Sequence, residues 1–424
     1  MKRKRIFHII IVSVILVTVI VFGSYGERQV PAVAAEETIS GYASFAPGVT
    51  AEMYYSEFWT NSLQDLDAVI KSEKEIKQLN HAILMSSEKL ANNLWDEQQY
   101  SETQISGLKY GICVKRTNIK SEPVLEPVWE NPADPYFDRY QLTTARINTP
   151  VLIDEETEDG MFYHVIMYDY EGWALSEDIA VCANREEWLR AQEMESALVV
   201  LSPRIYLEIN KELLTMGTRL RLLTKEEARE QFAEGGTWGC YTVEVPVRAA
   251  DGSYNVRYDT ISITEKVSVG YLPLTTENLL EQAFLFLGNR YGWGGMYESV
   301  DCSGMVQEVM ACFGINMPRD AEEQIRIPAS RITFTPDMTE EERKGVLDLL
   351  TPGTLLYFSG HIMFYLGEKN GEYFVISSVS SMRMPGSGAD EDLLKVRRVV
   401  INSLSMERKS GATWLNELQY AVYL

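Results

Sequence analysis

The sequence predicts a multidomain α+β protein. Three observations carry this: a helical run in the first quarter, two tandem stretches of short alternating strands, and a mixed helix-and-strand C-terminal region. A length of 424 residues leaves room for about three domains at roughly 150 residues each. A composition of 46% hydrophobic and 24% charged residues is that of a folded protein and excludes a disordered, collagen-like or multi-span membrane chain. The net charge of -22 repels phosphate backbones and argues against a nucleic-acid partner. Five cysteines with no CxxC pair support neither a disulfide framework nor a zinc ribbon. No metal or nucleotide motif occurs, so no metal and no cofactor is expected.

The first element is a targeting segment. KRKR at residues 2–5 precedes an unbroken apolar run from Ile6 through Phe22, and Ala32-Val33-Ala34 follows with small residues. That is the order of a basic region, a hydrophobic region and a cleavage site. Two readings stay open over residues 1–34: a cleaved signal peptide, or an anchor through residues 6–22, whose length is close to the ~17–25 residues that span a bilayer. Either way the rest of the chain is expected outside the cytoplasm, secreted, periplasmic or in the cell envelope, touching membrane only through this segment.

Residues 35–105 read as a linker followed by a helical segment, with Leu63, Leu66, Val69, Ile70, Ile76 and Leu79 at helical spacings. Residues 106–184 and 185–272 change texture to short alternating strands such as YGICVKRTNI, FYHVIMYDYEGWAL and CYTVEVPVRAADGSY. Each is read as a small β-barrel. Asp251-Gly252 marks a hairpin. Cys113 and Cys182, near the two ends of the first of these, are candidates for a disulfide, although packing as free thiols is the commoner outcome. Residues 273–424 return to mixed α and β, with helical TENLLEQAFLFLG ending at Gly288, a glycine-rich turn, a second helix and then strands.

The chemistry concentrates in GNRYGWGGMYESVDCSGMVQEVMACFGINMPRDAEEQ, residues 288–324. Met305, Val306, Val309, Met310 and Phe313 form an apolar helical stripe that Gly314 ends, which puts Cys302 at the helix N-terminus. The helix dipole and unpaired N–H groups there are expected to lower a thiol's pKa. A thiol nucleophile needs a base, and His361 is the one histidine after residue 164. Arg319 reads as an ion-pair partner of Asp320 or Glu322.

Together these residues resemble the NlpC family of papain-like cell-wall peptidases. The resemblance rests on Tyr291-Gly292-Trp293-Gly294-Gly295, Asp301-Cys302-Ser303-Gly304, Pro318-Arg319-Asp320 with Gln324, and Pro352-Gly353 leading to His361, Tyr365 and Gly367. It covers about residues 275–380. The upstream order is similar to a branch of that family with a helical segment and two SH3-like domains. The resemblance implies a γ-D-glutamyl-diamino acid endopeptidase acting on peptidoglycan stem peptides or muropeptides. It implies Cys302 as nucleophile and His361 as general base and acid. Asp301 and Ser303 would help hold the free α-amino group of an N-terminal L-Ala, with Tyr291 assisting an oxyanion and Trp293 beside it in the substrate cleft. One barrel is expected either to bind wall polymer or to block the far end of the cleft.

The chain departs from the family's pattern at one position. The strand Tyr373-Phe374-Val375-Ile376-Ser377-Ser378-Val379 carries no histidine where a third polar residue usually orients the imidazole. Ser377 is the expected occupant, with Ser378 on the opposite face. Three readings follow: a weaker triad, another polar group in that role, or a degenerate site that only binds the wall. Amidase or acyl-transfer chemistry at the same Cys–His pair is a further enzymatic alternative.

Overall fold

The computed structural model describes residues 49–61, 63, 66–86, 107–232, 238–387 and 393–424. The targeting segment, most of the linker and the second half of the expected helical run, residues 87–106, lie outside them. No helix among the described residues is long and apolar enough to cross a membrane.

The helical segment is interrupted. A short helix, α1 (Ser56–Thr60), buries Trp59, which donates its Nε1–H to the Met53 carbonyl at 2.9 Å and packs on Phe374 with ring centroids 5.5 Å apart. A longer helix, α2 (Glu73–Ser86), buries Ile76, Leu79 and Ile83. Leu63, Leu66, Val69 and Ile70, expected on one continuous helix, precede α2. The backbone there is used differently: Ile70 N–H donates to the Leu274 carbonyl at 2.8 Å and Lys71 bridges Leu274. Ser72 then stops any helix from running through, since its hydroxyl bonds the Glu75 carboxylate at 2.6 Å and opens α2.

Nine strands follow: β1 (Lys109–Cys113), β2 (Thr117–Lys120), β3 (Trp129–Asn131), β4 (Asp134–Asp138), β5 (Gln141–Ala145), β6 (Pro150–Glu156), β7 (Phe162–Ile166), β8 (Glu171–Leu175) and β9 (Ile179–Cys182). Seven form an antiparallel sheet in the order β5-β2-β8-β7-β6-β1-β9, and β3 and β4 form a separate hairpin. Ile119, Val151, Val165 and Ile179, all completely buried, lie in its core. Helix α3 (Arg185–Gln192) is capped by Asn184 and lays the buried Trp188 on β1.

The next group comprises β10 (Ala197–Val200), β11 (Arg204–Tyr206), β12 (Leu213–Thr215), β13 (Arg219–Leu222), helix α4 (Lys225–Gln231), β14 (Cys240–Arg248), β15 (Tyr254–Ser262) and β16 (Val267–Val269). Five strands pair in the order β15-β14-β13-β10-β16, and the Asp251-Gly252 turn joins β14 to β15.

Neither sheet closes into the barrel expected from its sequence. The edges of the first are covered by other parts of the chain instead of by each other. At β5, Gln141 Nε2 donates to the Gly294 carbonyl at 2.8 Å, and at β9, Val181 N–H donates to the Gly252 carbonyl at 3.0 Å. An edge so covered needs no closure. The candidate disulfide does not form: all described cysteines are free thiols. Along the β1–β9 ladder Cys113 faces Ile179 while Cys182 faces Tyr110, three residues apart in register.

The C-terminal region contains α5 (Thr276–Phe284), α6 (Cys302–Ala311), α7 (Ala321–Gln324), β17 (Ser330–Thr333), α8 (Glu340–Leu347), β18 (Leu355–Phe358), β19 (His361–Lys369), β20 (Glu372–Val379), β21 (Arg398–Ser403), α9 (Trp414–Glu417) and β22 (Tyr420–Tyr423). The strands order as β17-β22-β18-β19-β20-β21, and α6 packs on β19 and β20. Met363, Tyr365, Val375 and Val379 alternate into one core that also holds Trp414.

Candidate active site

The site is built where the start of α6 meets the start of β19. Asp301 is the N-cap of α6: one carboxylate oxygen accepts from Gly304 N–H at 2.8 Å, which satisfies a donor the helix start leaves open. The other accepts from Gly294 N–H at 2.9 Å and from Arg319 Nη2 at 2.5 Å. Asp301 and Arg319 are both buried. Burial alone would raise Asp301's pKa, but the Arg319 charge and these hydrogen bonds hold it below the ordinary carboxylate range.

Arg319 does not pair with Asp320 or Glu322 as its sequence neighbourhood suggests. Its remaining donors go to Ser303 Oγ at 2.7 Å and to Thr143 Oγ1 at 2.7 Å, the latter on β5 of the first sheet. Gln324, fully buried, donates to the Ser303 carbonyl at 2.9 Å and to the Pro318 carbonyl at 2.8 Å. The Pro-Arg-Asp and Gln324 motif is thus a brace under the first turn of α6. The sequence reading places Asp301 against a substrate ammonium; in the structure Arg319 and two backbone amides occupy that carboxylate.

The glycine-rich turn has a matching geometric reason. Gly294 and Gly295 have φ of 55° and 83°, a backbone region open mainly to glycine. A Cβ at Gly294 would lie 2.7 Å from Gln141 Cγ, and one at Gly295 would lie 2.4 Å from Thr144 Oγ1. Arg116 Nη2 donates to the Gly295 carbonyl at 2.6 Å. The turn is therefore clamped by the first sheet. Tyr291, just before it, is buried, while Trp293 is half in solvent and packs edge-on against Phe137 of β4 at 5.4 Å. Burial, with Asp301 and Cys302 nearby, raises the Tyr291 phenol well above its usual range, so it stays protonated.

Cys302 is half-buried, and the backbone N–H groups of Ser303 and of Ile362, the residue after His361, are near enough to favour its thiolate. The structure reverses the expected direction of its pKa. Burial first, and the Asp301 carboxylate second, outweigh those N–H groups and Arg319, and push the thiol up to about 11. His361 places Nε2 2.9 Å from Ser377 Oγ, and its ring packs on Phe358 and Trp414 at 5.3 and 5.1 Å. Burial, then the Arg408 charge, lower His361 to about 3. The resting pair is neutral thiol and neutral imidazole. Ser378 points elsewhere, donating to the Val300 carbonyl at 2.8 Å. The structure thus brings Cys302, His361, Ser377, Asp301, Ser303 and Tyr291 into one region. No group of three or more His, Cys, Asp or Glu able to hold a metal occurs among the described residues.

Residues 288–398 match the NlpC/P60 family. The C-terminal part of the chain carries an NlpC/P60 family domain. Dipeptidyl-peptidase 6 of Lysinibacillus sphaericus is 24% identical over 221 residues, which is 52% of this chain and 74% of that protein. The bifunctional muramidase/DL-endopeptidase CwlT of Bacillus subtilis (strain 168) is 32% identical over 108 residues, 23% of this chain and 28% of that one. In fold, the chain is similar to an NlpC/P60 endopeptidase from Photobacterium damselae subsp. piscicida. The TM-score is 0.66 at 17% identity, covering 86% of this chain and 96% of that one. An NlpC/P60 family protein from Bacillus cereus ATCC 10987 gives a TM-score of 0.51 at 16% identity, over 74% and 99% of the two chains. The domain match and the DL-endopeptidase relative together support a cysteine peptidase.

The neutral resting pair has a measurable consequence. Alkylation of Cys302 by iodoacetamide in the substrate-free protein should be slow at neutral pH and rise as pH climbs toward about 11. A rate already maximal in mildly acidic solution would show a preformed thiolate–imidazolium pair instead. Acid has a second effect. A histidine held neutral by the fold costs stability increasingly as pH falls from its ordinary range toward about 3.

Proposed function

We propose that the protein is a γ-D-glutamyl-diamino acid endopeptidase that cleaves peptidoglycan stem peptides with a free N-terminal L-Ala. The observation that carries this is the seating of Cys302 at the start of α6 against the backbone of Ile362, beside a His361 held by Ser377.

In the mechanism, Ser377 fixes the imidazole through Nε2 and leaves Nδ1 for the thiol. On substrate binding, Nδ1 takes the Cys302 proton as sulfur attacks the scissile carbonyl carbon. The Cys302 backbone N–H and the protonated Tyr291 phenol stabilise the oxyanion. The tetrahedral adduct collapses, the C–N bond breaks, and the imidazolium gives its proton to the leaving amine. A water then loses a proton to His361 and attacks the thioester, releasing the carboxylic acid and restoring the thiol. Serine is neutral and supports the imidazolium less than a carboxylate would, which makes this a weaker triad.

The upstream sheets are read as two SH3-like modules over residues 106–184 and 185–272, with the peptidase domain over 273–424. The packing of the first sheet on the Gly294–Gly295 turn supports a cleft closed at one end, and that closure favours short peptides over intact wall. Asp301 and Ser303 act in this reading by positioning the helix start, and Trp293 with Phe137 lines the entrance. Residues 1–34, as signal peptide or anchor, would place the enzyme outside the cytoplasm.

The direct test incubates L-Ala-γ-D-Glu-diaminopimelate and its N-acetylated form with the protein and with Cys302→Ala. Mass spectrometry should show cleavage of the free-amine peptide alone, absent in the variant. Equal cleavage of both forms would remove the closed-cleft reading. Products of acyl transfer in place of hydrolysis would remove the peptidase assignment. In the same assay Ser377→Ala should lower kcat by roughly 2–12-fold with KM unchanged, the equivalent of one neutral hydrogen bond of about 0.5–1.5 kcal/mol. An unchanged kcat would take Ser377 out of the mechanism.

A further inference from the structure

The β3–β4 hairpin pairs with no other strand among the described residues. A two-stranded hairpin is marginal in water on its own, so its position is set by what holds its two ends. The base is anchored to the first sheet: Asp138 lies 3.2 Å from Lys120 Nζ and accepts from Val128 N–H at 2.9 Å. The tip is held by the peptidase domain instead. Asp134 Oδ2 accepts from Arg397 Nη2 at 2.8 Å and lies 2.9 Å from Lys395 Nζ. The Pro135 carbonyl accepts from the Tyr297 hydroxyl, and the Tyr136 hydroxyl accepts from Arg290 Nη2 at 3.1 Å.

Arginines and rings alternate across this contact. The Arg397 cation lies 4.5 Å from the centre of the Tyr136 ring and 4.6 Å from that of Phe137. The Arg290 cation lies 5.1 Å from Tyr136 and 4.0 Å from Tyr297. Charge over a ring face is attractive. Phe137 in turn meets Tyr291 at 6.1 Å and Trp293 at 5.4 Å. Two residues of the contact carry an unusual backbone: Arg397 and Tyr297 have φ of 53° and 59°, a region that non-glycine residues rarely adopt. Such a conformation persists only where its surroundings over-determine it. At Arg397 they do. Its carbonyl accepts from Tyr291 N–H at 2.9 Å while its guanidinium takes Asp134. One residue thus ties the hairpin tip to the chain entering the glycine turn.

From this arrangement we infer that Asp134 and Arg397 are positioning residues, a latch that holds Phe137 against Tyr291 and Trp293 and so sets how tightly a peptide is bound at the cleft entrance. The latch follows from the hairpin's two anchorages. Its effect on peptide binding rests on the function proposed above. Neither residue makes a hydrogen bond or ion pair with Cys302, His361 or Ser377 among the described residues. Opening the latch therefore weakens binding and spares the chemistry.

The experiment uses the full chain with Asp134→Ala and, separately, with Lys395→Ala, whose side chain stands mostly in solvent. Hydrogen exchange read by mass spectrometry should be about fivefold or more faster over residues 129–138 in Asp134→Ala, and unchanged in α6 and β19. In the cleavage assay Asp134→Ala should raise KM for the free-amine peptide about three- to fivefold with kcat unchanged, and Asp134→Glu should recover most of the loss. Should Asp134→Ala not fold, Lys395→Ala carries both readings in the same direction. Unchanged exchange in the hairpin, or exchange accelerated equally in α6, would overturn the latch. A fall in kcat with KM unchanged would overturn its role in peptide binding. If the unaltered protein cleaves no stem peptide, the proposed function falls, and hydrogen exchange still decides the latch.

Discussion

The buried ion pair between Asp301 and Arg319 is the constraint on which the rest of the site depends. Two charges taken out of water are costly unless each is fully hydrogen-bonded. Here they are: Asp301 accepts from Gly294, Gly304 and Arg319, and Arg319 donates to Asp301, Ser303 and Thr143. That requirement draws the glycine turn, the first turn of α6, the loop after it and an upstream strand to one point. Cys302 is the residue next to this knot, so its position is set by electrostatics built into the fold.

The same arrangement sets the protonation states. The helix start and two backbone amides favour a thiolate at Cys302, yet burial and the adjacent Asp301 charge win and keep the proton on sulfur. Burial likewise keeps His361 neutral, with Phe358 and Trp414 packed on its ring. In both groups burial is the first cause, and it favours the uncharged form of each.

Much of this was legible in the residues. Cys302 at a helix start, His361 opening a strand and α6 ending near Gly314 follow from local pattern, and Ser377 beside His361 follows from the family resemblance. The failures share a physical cause. The sequence neighbours of Arg319 suggest a local ion pair, but its partners include Thr143, 176 positions away; no local pattern encodes such a contact. The helix dipole and unpaired N–H groups at the start of α6 favour a thiolate, and burial of Cys302 acts against them. The continuous helix expected through Ile70 and the closed barrels failed similarly: Ile70 is recruited to pair with Leu274, and the open edge of β5 is covered by the Gly294 turn. In each case tertiary contact outcompeted a local preference.

Asp301 and Arg319 act as one unit. A double-mutant cycle with Asp301→Asn and Arg319→Met, read by urea unfolding of the full chain, tests it directly. Either single change should cost about 3–5 kcal/mol, with a coupling of roughly 1–3 kcal/mol because the second change costs less once the first is made. Single costs that simply add, to within about 0.5 kcal/mol, would contradict it.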